Sequence, residues 1–281
     1  MEKWLVVSNC QTVGLGNCLS LLCPFVKVET CDIWSFRSEM TGWKSKLGEY
    51  SQVILNPLFR HELDLSGTDH VTFVPSFYFQ GFHPDLTYVR CDGVPVKSPM
   101  DDYHSVIIAV AFRKGLTESE ARRLFVGDVY ERLGYFSMWD AAKQEFIQNF
   151  DAYGLNVRSE FSGWMRRGGF MHSVNHPKID AIYDVAAKVA KMLKGDDYIQ
   201  SAFRPHDNLA VAPVFPVYPE IAERYGLDCG SYLFKSFPYK FFGLDEFIAG
   251  SYEAYRKFPV DGLEIQSLYY ERAMNLISEQ I

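Results

Sequence analysis

The sequence predicts an α/β fold: an N-terminal parallel-type sheet with helices, followed by a mostly helical portion packed on it. Three observations carry this. Over residues 1–100, short apolar runs alternate with helix-period segments, the pattern of strands joined by crossover helices. Beyond residue 101 the apolar spacing becomes mainly helical. The 281 residues are 48% hydrophobic and 22% charged, enough to bury a real core and unlike a disordered chain. No repeat, low-complexity tract or linker divides them. Residues 1–281 therefore read as one compact unit, α/β over 1–100 and mainly helical over 101–281.

The elements follow in order. "KWLVVS" (Lys3 to Ser8) is a short buried strand, and "TVGLGNCLSLL" (Thr12 to Leu22) spaces its apolar residues as a helix does. "FVKVETCDIW" (Phe25 to Trp34) contains a second strand, "SQVILNP" (Ser51 to Pro57) a third and "DHVTFVPSFYF" (Asp69 to Phe79) a fourth. Gln80 to Ser105, with three prolines and two glycines, reads as a long site-shaping loop. "DYHSVIIAVAFRKGL" is a helix stopped at Gly115, and "LTESEARRLF" opens on a Thr117/Glu120 capping box. "MWDAAKQEFIQNFDAYG" is amphipathic, and Pro177 is expected to open the helix "PKIDAIYDVAAKVAKML". "NLAVAPVFPVYPEI" has too many prolines for a central strand. "LDEFIAGSYEAYRKF" and "GLEIQSLYYERAMNLISEQI" look helical.

Bulk properties narrow the function. A net charge of −7 argues against a nucleic-acid partner. No run approaches the roughly 18 apolar residues of a membrane span, and no signal-peptide pattern opens the chain, so a cytoplasmic protein is expected. Six cysteines without a Cys-x-x-Cys pair predict reduced thiols, most of them in the core.

Cys10 stands apart. If the first strand ends near Ser8, Cys10 lies at the carboxyl edge of the sheet, where open α/β folds bind ligands. The next helix would aim its N–H groups at the turn and lower the thiol pKa. Asn9 and Gln11 would bring amide donors suited to an oxyanion. Gly14 and Gly16 could begin a dinucleotide fingerprint, but Leu19 stands at its third glycine, which leaves that alternative weak.

A cysteine nucleophile needs a base, and four histidines stand in distinctive segments: His83 in "GFHPD", His104 in "DYHS", and His172 and His176 in "FMHSVNHPK". Asp85 lies two residues after His83. His172 and His176 have zinc-ligand spacing for a helix, but Ser173 replaces a zincin's glutamate and Pro177 disfavours helical geometry at His176, so no metal is expected. A loop placing His172, Asn175 and His176 at a helix start, with Lys178 in its first turn, suits a phosphate or an oxyanion. Asn175 or His176 could instead cap that helix. Arg166 and Arg167 in "WMRRGG" form either a phosphate-binding pair or a solvated turn. "RPHDN" (Arg204 to Asn208) is a minor candidate.

"SNCQTVGLGNCL", "FQGFHPDLTYV", "DYHSVIIAVAFRKGLTESEA", "VYERLGYF" and "FMHSVNHPK" resemble, in this order, the WcbI-type polysaccharide biosynthesis proteins. The resemblance runs from about Trp4 to about Leu193. It implies a bacterial capsule or surface-polysaccharide enzyme that binds coenzyme A and takes acetyl-coenzyme A as donor for O-acetylation of a sugar. By motif, Asn9, Cys10 and Gln11 match the family's N-C-Q segment, and His83, Pro84 and Asp85 its H-P-D segment. His172, Asn175, His176 and Pro177 match the segment before the helix. Ser8 departs from the glycine expected there, which narrows the turn and adds a hydroxyl.

The acyltransferase expectation places Cys10 at the site, as acyl carrier or beside the thioester. Ser8, Asn9, Gln11, Asp85, His104 and Asn175 would shape it, and His176, Lys178, Arg166 and Arg167 would hold coenzyme A. His83 and His172 are the leading bases, His83 slightly ahead. Alternatives are a cysteine-dependent thioesterase or esterase on the same scaffold, or a non-catalytic coenzyme A or glycan-binding module.

Overall fold

The computed structural model describes residues 1–63, 65 and 70–279. Strand β1 (Glu2–Ser8) leads into helix α1 (Thr12–Leu22), then β2 (Val26–Asp32), α2 (Ile33–Ser38), α3 (Met40–Lys46), β3 (Gln52–Leu55) and β4 (Val71–Phe73). Short strands β5 (Leu86–Cys91), β6 (Val94–Pro95) and β7 (His104–Ser105) precede α4 (Val106–Arg113), α5 (Glu118–Arg123), α6 (Gly127–Leu133), α7 (Met138–Asp151), α8 (Arg158–Arg166) and α9 (Ile179–Lys194). The chain ends with α10 (Pro219–Arg224), β8 (Phe234–Ser236), β9 (Lys240–Phe242), α11 (Leu244–Tyr255), β10 (Leu263–Gln266) and α12 (Tyr270–Ser278). This is the mixed α/β fold expected.

The chain folds as two compact units, residues 1–78 with 145–171 and 175–209, and residues 79–144 with 172–174 and 210–281. The first unit holds a parallel sheet in the order β2-β1-β3-β4. Trp4 to Val7 are all buried, as a central parallel strand requires. One core cluster joins Leu5, Val7, Val53 and Leu55 to Phe36 and Phe59. Helix α1 sits so close to β2 that a Cβ on Gly16 would fall 2.2 Å from Thr30 Cγ2, while Gly14 faces Ile182 of α9. The glycines of "GLG" thus lie inside a helix as packing contacts. No phosphate-binding loop forms there, and the dinucleotide alternative falls with it.

The second unit is built on β5, which pairs antiparallel with β10, β6 and β7. Val106 to Ala111 of α4 are buried throughout and pack with α5, α11 and α12. Ser105 Oγ caps α4 by accepting the Ile108 N–H at 3.1 Å, and the Thr117/Glu120 capping box opens α5.

Several element expectations change. The fourth strand is only Val71–Phe73, ended by Pro75, and Asp69 lies outside the described residues. The expected loop from Gln80 to Ser105 contains β5 to β7. "GLEIQSLYYERAMNLISEQI" opens as strand β10, whose Leu263 is buried and Glu264 exposed in a period of two, before α12 begins; Gln280 and Ile281 lie outside the described residues. Helix α9 starts at Ile179 rather than Pro177, because Pro177 bridges Met171 in extended backbone.

Candidate active site at the end of the first strand

The turn Asn9-Cys10-Gln11 joins the carboxyl end of β1 to α1. Its geometry is held from several sides. Thr12 Oγ1 donates to the Asn9 carbonyl at 2.6 Å and accepts the Ser8 N–H at 3.1 Å. The Asn9 side-chain oxygen accepts the Gln11 N–H at 3.1 Å. The β1 strand is followed by β2 on one side and β3 on the other, so the ends of β1 and β3 flank a topological switch point. Asn56, one residue past β3, is buried there. Its Oδ1 accepts the Leu58 N–H at 3.0 Å and its Nδ2 donates to Ser76 Oγ. Ser76 Oγ also lies 3.4 Å from Ser8 Oγ. A cavity of about 450 Å³ opens beside these groups, with Asn9, Asn56 and Ser76 in its wall.

Two expectations for the turn are corrected. The first is Gln11 as an oxyanion donor. Its Nε2 donates to the Phe77 carbonyl at 3.1 Å and the Asn175 carbonyl at 3.0 Å, and its Oε1 accepts the Phe77 N–H at 3.0 Å. The amide is consumed in tying the turn to two backbone segments, so Gln11 builds the site and Asn9 is the side-chain donor left. The second is the thiol. Cys10 is half-buried, and burial pushes it up to about 11, opposite to the lowering expected from the helix end.

A measurement follows. A thiol titrating near 11 holds only about one part in ten thousand thiolate at neutral pH. Iodoacetamide should therefore label the exposed Cys229 first, and Cys10 labelling should climb about tenfold per pH unit from pH 7 to pH 10. A Cys10 rate that plateaus near pH 7 in peptide mapping would overturn the raised thiol. The other four cysteines are buried free thiols.

The remaining first-unit candidates group around α9. Asn175 meets the turn through its carbonyl. His176 is half-buried just before Pro177. Lys178 is the N-cap residue of α9, and its Nζ donates to the Gly169 carbonyl at 3.1 Å. The first N–H of α9, on Ile179, donates to Asp207 Oδ2 at 3.1 Å. The helix start expected to attract an anion is thus capped by a carboxylate from the "RPHDN" segment, and neither Asn175 nor His176 is its cap. Arg166 and Arg167 are exposed at the end of α8, and Arg167 pairs with Asp184 at 3.1 Å.

The second unit holds the other candidates. Asp85 is fully buried, and its carboxylate accepts Tyr135 OH and Tyr218 OH at 2.7 Å each and the Ile107 N–H at 3.0 Å. Desolvation pushes it up to about 6 despite these bonds. His83 is 2% exposed, with Phe82 and Phe215 edge-on to its ring. His104 is buried with Nδ1 2.8 Å from Tyr255 OH and Nε2 2.9 Å from the Val96 carbonyl. Burial lowers it to about 4, so it is a neutral ring that ties the core together. His172 is half-buried, and its carbonyl accepts the Phe215 N–H at 2.9 Å.

Sequence reasoning missed Asn56, Ser76 and the tyrosine pair on Asp85, and had Asp207 only within a minor candidate segment. Asn56 alone left a local sign, an Asn-Pro step closing an apolar run. Among the described residues, no group of three or more His, Cys, Asp or Glu is placed to hold a metal ion, and no helix is long and apolar enough to cross a membrane.

Comparison with known proteins follows the same line. No curated protein matches the chain. A solved structure of WcbI, described as a novel polysaccharide biosynthesis enzyme in its native form without a disulfide bond between coenzyme A and a cysteine, shares the fold. Its TM-score is 0.68 at 15% identity, over 98% of this chain and 95% of that one. The family model for the polysaccharide biosynthesis enzyme WcbI matches residues 3–197, a span that takes in the Asn9-Cys10-Gln11 turn, the H-P-D segment and all of α9. The chain belongs to the WcbI family of polysaccharide biosynthesis enzymes.

Proposed function

We propose that this chain binds coenzyme A and transfers an acetyl group from acetyl-coenzyme A to a sugar hydroxyl in the assembly of a surface polysaccharide. The observation that carries the reading is the Asn9-Cys10-Gln11 turn at the switch point of a parallel sheet, in a chain of this family. A WcbI structure is described by the absence of a disulfide between coenzyme A and one of its cysteines, which fits a cysteine close to the thiol end of the ligand. We assign that place in this chain to Cys10.

The high Cys10 pKa favours direct transfer over an acyl-cysteine. The sugar oxygen attacks the thioester carbonyl, a histidine takes the hydroxyl proton, and the carbonyl oxygen gains negative charge. Asn9 Nδ2 stabilises that charge. The C–S bond then breaks, and the departing coenzyme A thiolate takes up a proton. His172 and His83 are the candidate bases. His172 keeps part of its surface open, whereas His83 is 2% exposed, which favours His172 as the base. A cysteine-dependent thioesterase would need a thiolate at Cys10, which burial disfavours.

The 3′-phosphate of coenzyme A is assigned to Arg166 and Arg167. The double variant Arg166→Ala plus Arg167→Ala should weaken coenzyme A by about tenfold in calorimetry, as loss of a charge-assisted contact does, and spare dephospho-coenzyme A. Equal loss for both ligands would remove the arginines from the 3′-phosphate. No heat from coenzyme A or acetyl-coenzyme A with the wild-type chain would end the acyl-transfer reading.

A further inference from the structure

We propose that the cavity at the carboxyl ends of β1 and β3 seats the sugar acceptor, and that the unit it takes is neutral, bearing neither phosphate nor carboxylate. The proposal rests on the acyl-transfer reading above and adds the acceptor's place and chemical class.

The wall has two kinds of surface. On the polar side stand Asn9, Asn56, Ser76 and Asn149, with His61. Amides and hydroxyls both donate and accept, which matches sugar hydroxyls, themselves donors and acceptors at once. Two of these groups are already oriented. Asn9 Oδ1 takes the Gln11 N–H, which leaves Nδ2 as its donor. Ser76 Oγ accepts from Asn56 Nδ2 and lies 3.4 Å from Ser8 Oγ, so its proton serves either Ser8 or a ligand hydroxyl. On the apolar side stand Pro57, Leu58, Pro75 and Tyr153. They suit the C–H face of a pyranose, and the Tyr153 ring is backed by Phe73 at 6.0 Å.

Among the described residues, the wall contains no lysine, arginine, aspartate or glutamate. A phosphate or carboxylate seated in this open cavity would meet no lysine or arginine in its wall, only the His61 imidazole. The cavity, at about 450 Å³, is within the range of small-ligand pockets and takes a mono- or disaccharide unit rather than whole coenzyme A. Asn9 belongs both to this wall and to the turn that carries Cys10. A hydroxyl of a sugar seated here therefore lies at the turn where the thioester is attacked.

The test uses saturation-transfer NMR on the full chain. The probes are the methyl glycosides of glucose, galactose and mannose, set against methyl glucuronide and glucose 1-phosphate. The expected result is a signal from at least one neutral glycoside and none from the two charged sugars. Asn149→Trp and Leu58→Trp, both at exposed positions, fill the cavity and should each weaken the glycoside by about tenfold or more. Coenzyme A affinity in calorimetry should stay within about twofold, as for an independent site. The proposal is overturned if no neutral glycoside binds, if the charged sugars bind as well, or if both folded variants retain the glycoside. Loss of coenzyme A in both variants also overturns it, by giving the cavity to the donor. If the wild-type chain binds a neutral glycoside in this cavity but not coenzyme A, the acyl-transfer reading fails while the sugar cavity stands.

Discussion

Replacing His172 with alanine is expected to lower acetyl-transfer turnover by about 100- to 10,000-fold while leaving coenzyme A affinity near wild type, the signature of a lost general base. The ring is half-buried, so its removal should leave the fold intact and thermal unfolding little changed. His83→Ala should behave differently. That ring is 2% exposed between Phe82 and Phe215, and its loss opens a void among aromatic side chains. Its main effect should be a lower Tm, with activity falling only as far as the folded fraction does. The pair is read by steady-state kinetics on both variants, with calorimetry for coenzyme A and a thermal melt beside them. Near-wild-type turnover in His172→Ala, with a collapse in a folded His83→Ala, would transfer the role to His83. Near-wild-type turnover in both would take the base away from either.

The N-terminal half of the fold was legible because parallel strands are buried on both faces. "WLVV" in β1 and "VIL" in β3 are uninterrupted apolar runs, and Thr12–Leu22 was bounded by its spacing alone. The short antiparallel strands were not. β6 and β7 are two residues each, too brief for any periodicity, and β10 is four residues in front of a helix whose pattern dominates the window. At the site, the Asn9-Cys10-Gln11 turn could be placed from local pattern, but its electrostatics could not. Gln11 is tied up by Phe77 and Asn175, 66 and 164 residues away along the chain, and Ser76 meets Ser8 across 68. The thiol pKa follows from burial, which no local window contains. Pro177 misled for a related reason. It fits a first helical turn, yet the bridge to Met171 holds it extended and passes the helix start to Ile179.

The largest stability effect is expected at Asp85, in the core of the second unit. Its side chain gathers Tyr135 OH, Tyr218 OH and the Ile107 N–H in a fully buried site. Asp85→Ala leaves these donors, and the Ser105 hydroxyl that also bonds the carboxylate, without that acceptor and should cost about 3–5 kcal/mol in denaturant unfolding. Asp85→Asn keeps an acceptor oxygen, and either tyrosine can rotate its hydroxyl to accept from the new amide, so the loss should be much smaller. The pH dependence separates charge from shape. Burial raises Asp85 to about 6 in the folded chain, against about 3.9 when unfolded. Between these values the folded chain holds a proton that the unfolded chain has released. The contribution of this group to stability is therefore fully present below about pH 4 and is lost as pH rises through about 6. Asparagine carries no such proton. Carboxylates lowered by their partners, such as Glu29 and Asp32, move stability the opposite way, but they are common to both proteins and cancel in the comparison. Measured as the difference between Asp85→Asn and wild type, stability should shift in favour of the variant from pH 4 to pH 7 by on the order of 3 kcal/mol. A difference that stays constant across that window would mean that the carboxyl titrates at its ordinary value, and that its tyrosine and backbone donors offset its burial in full.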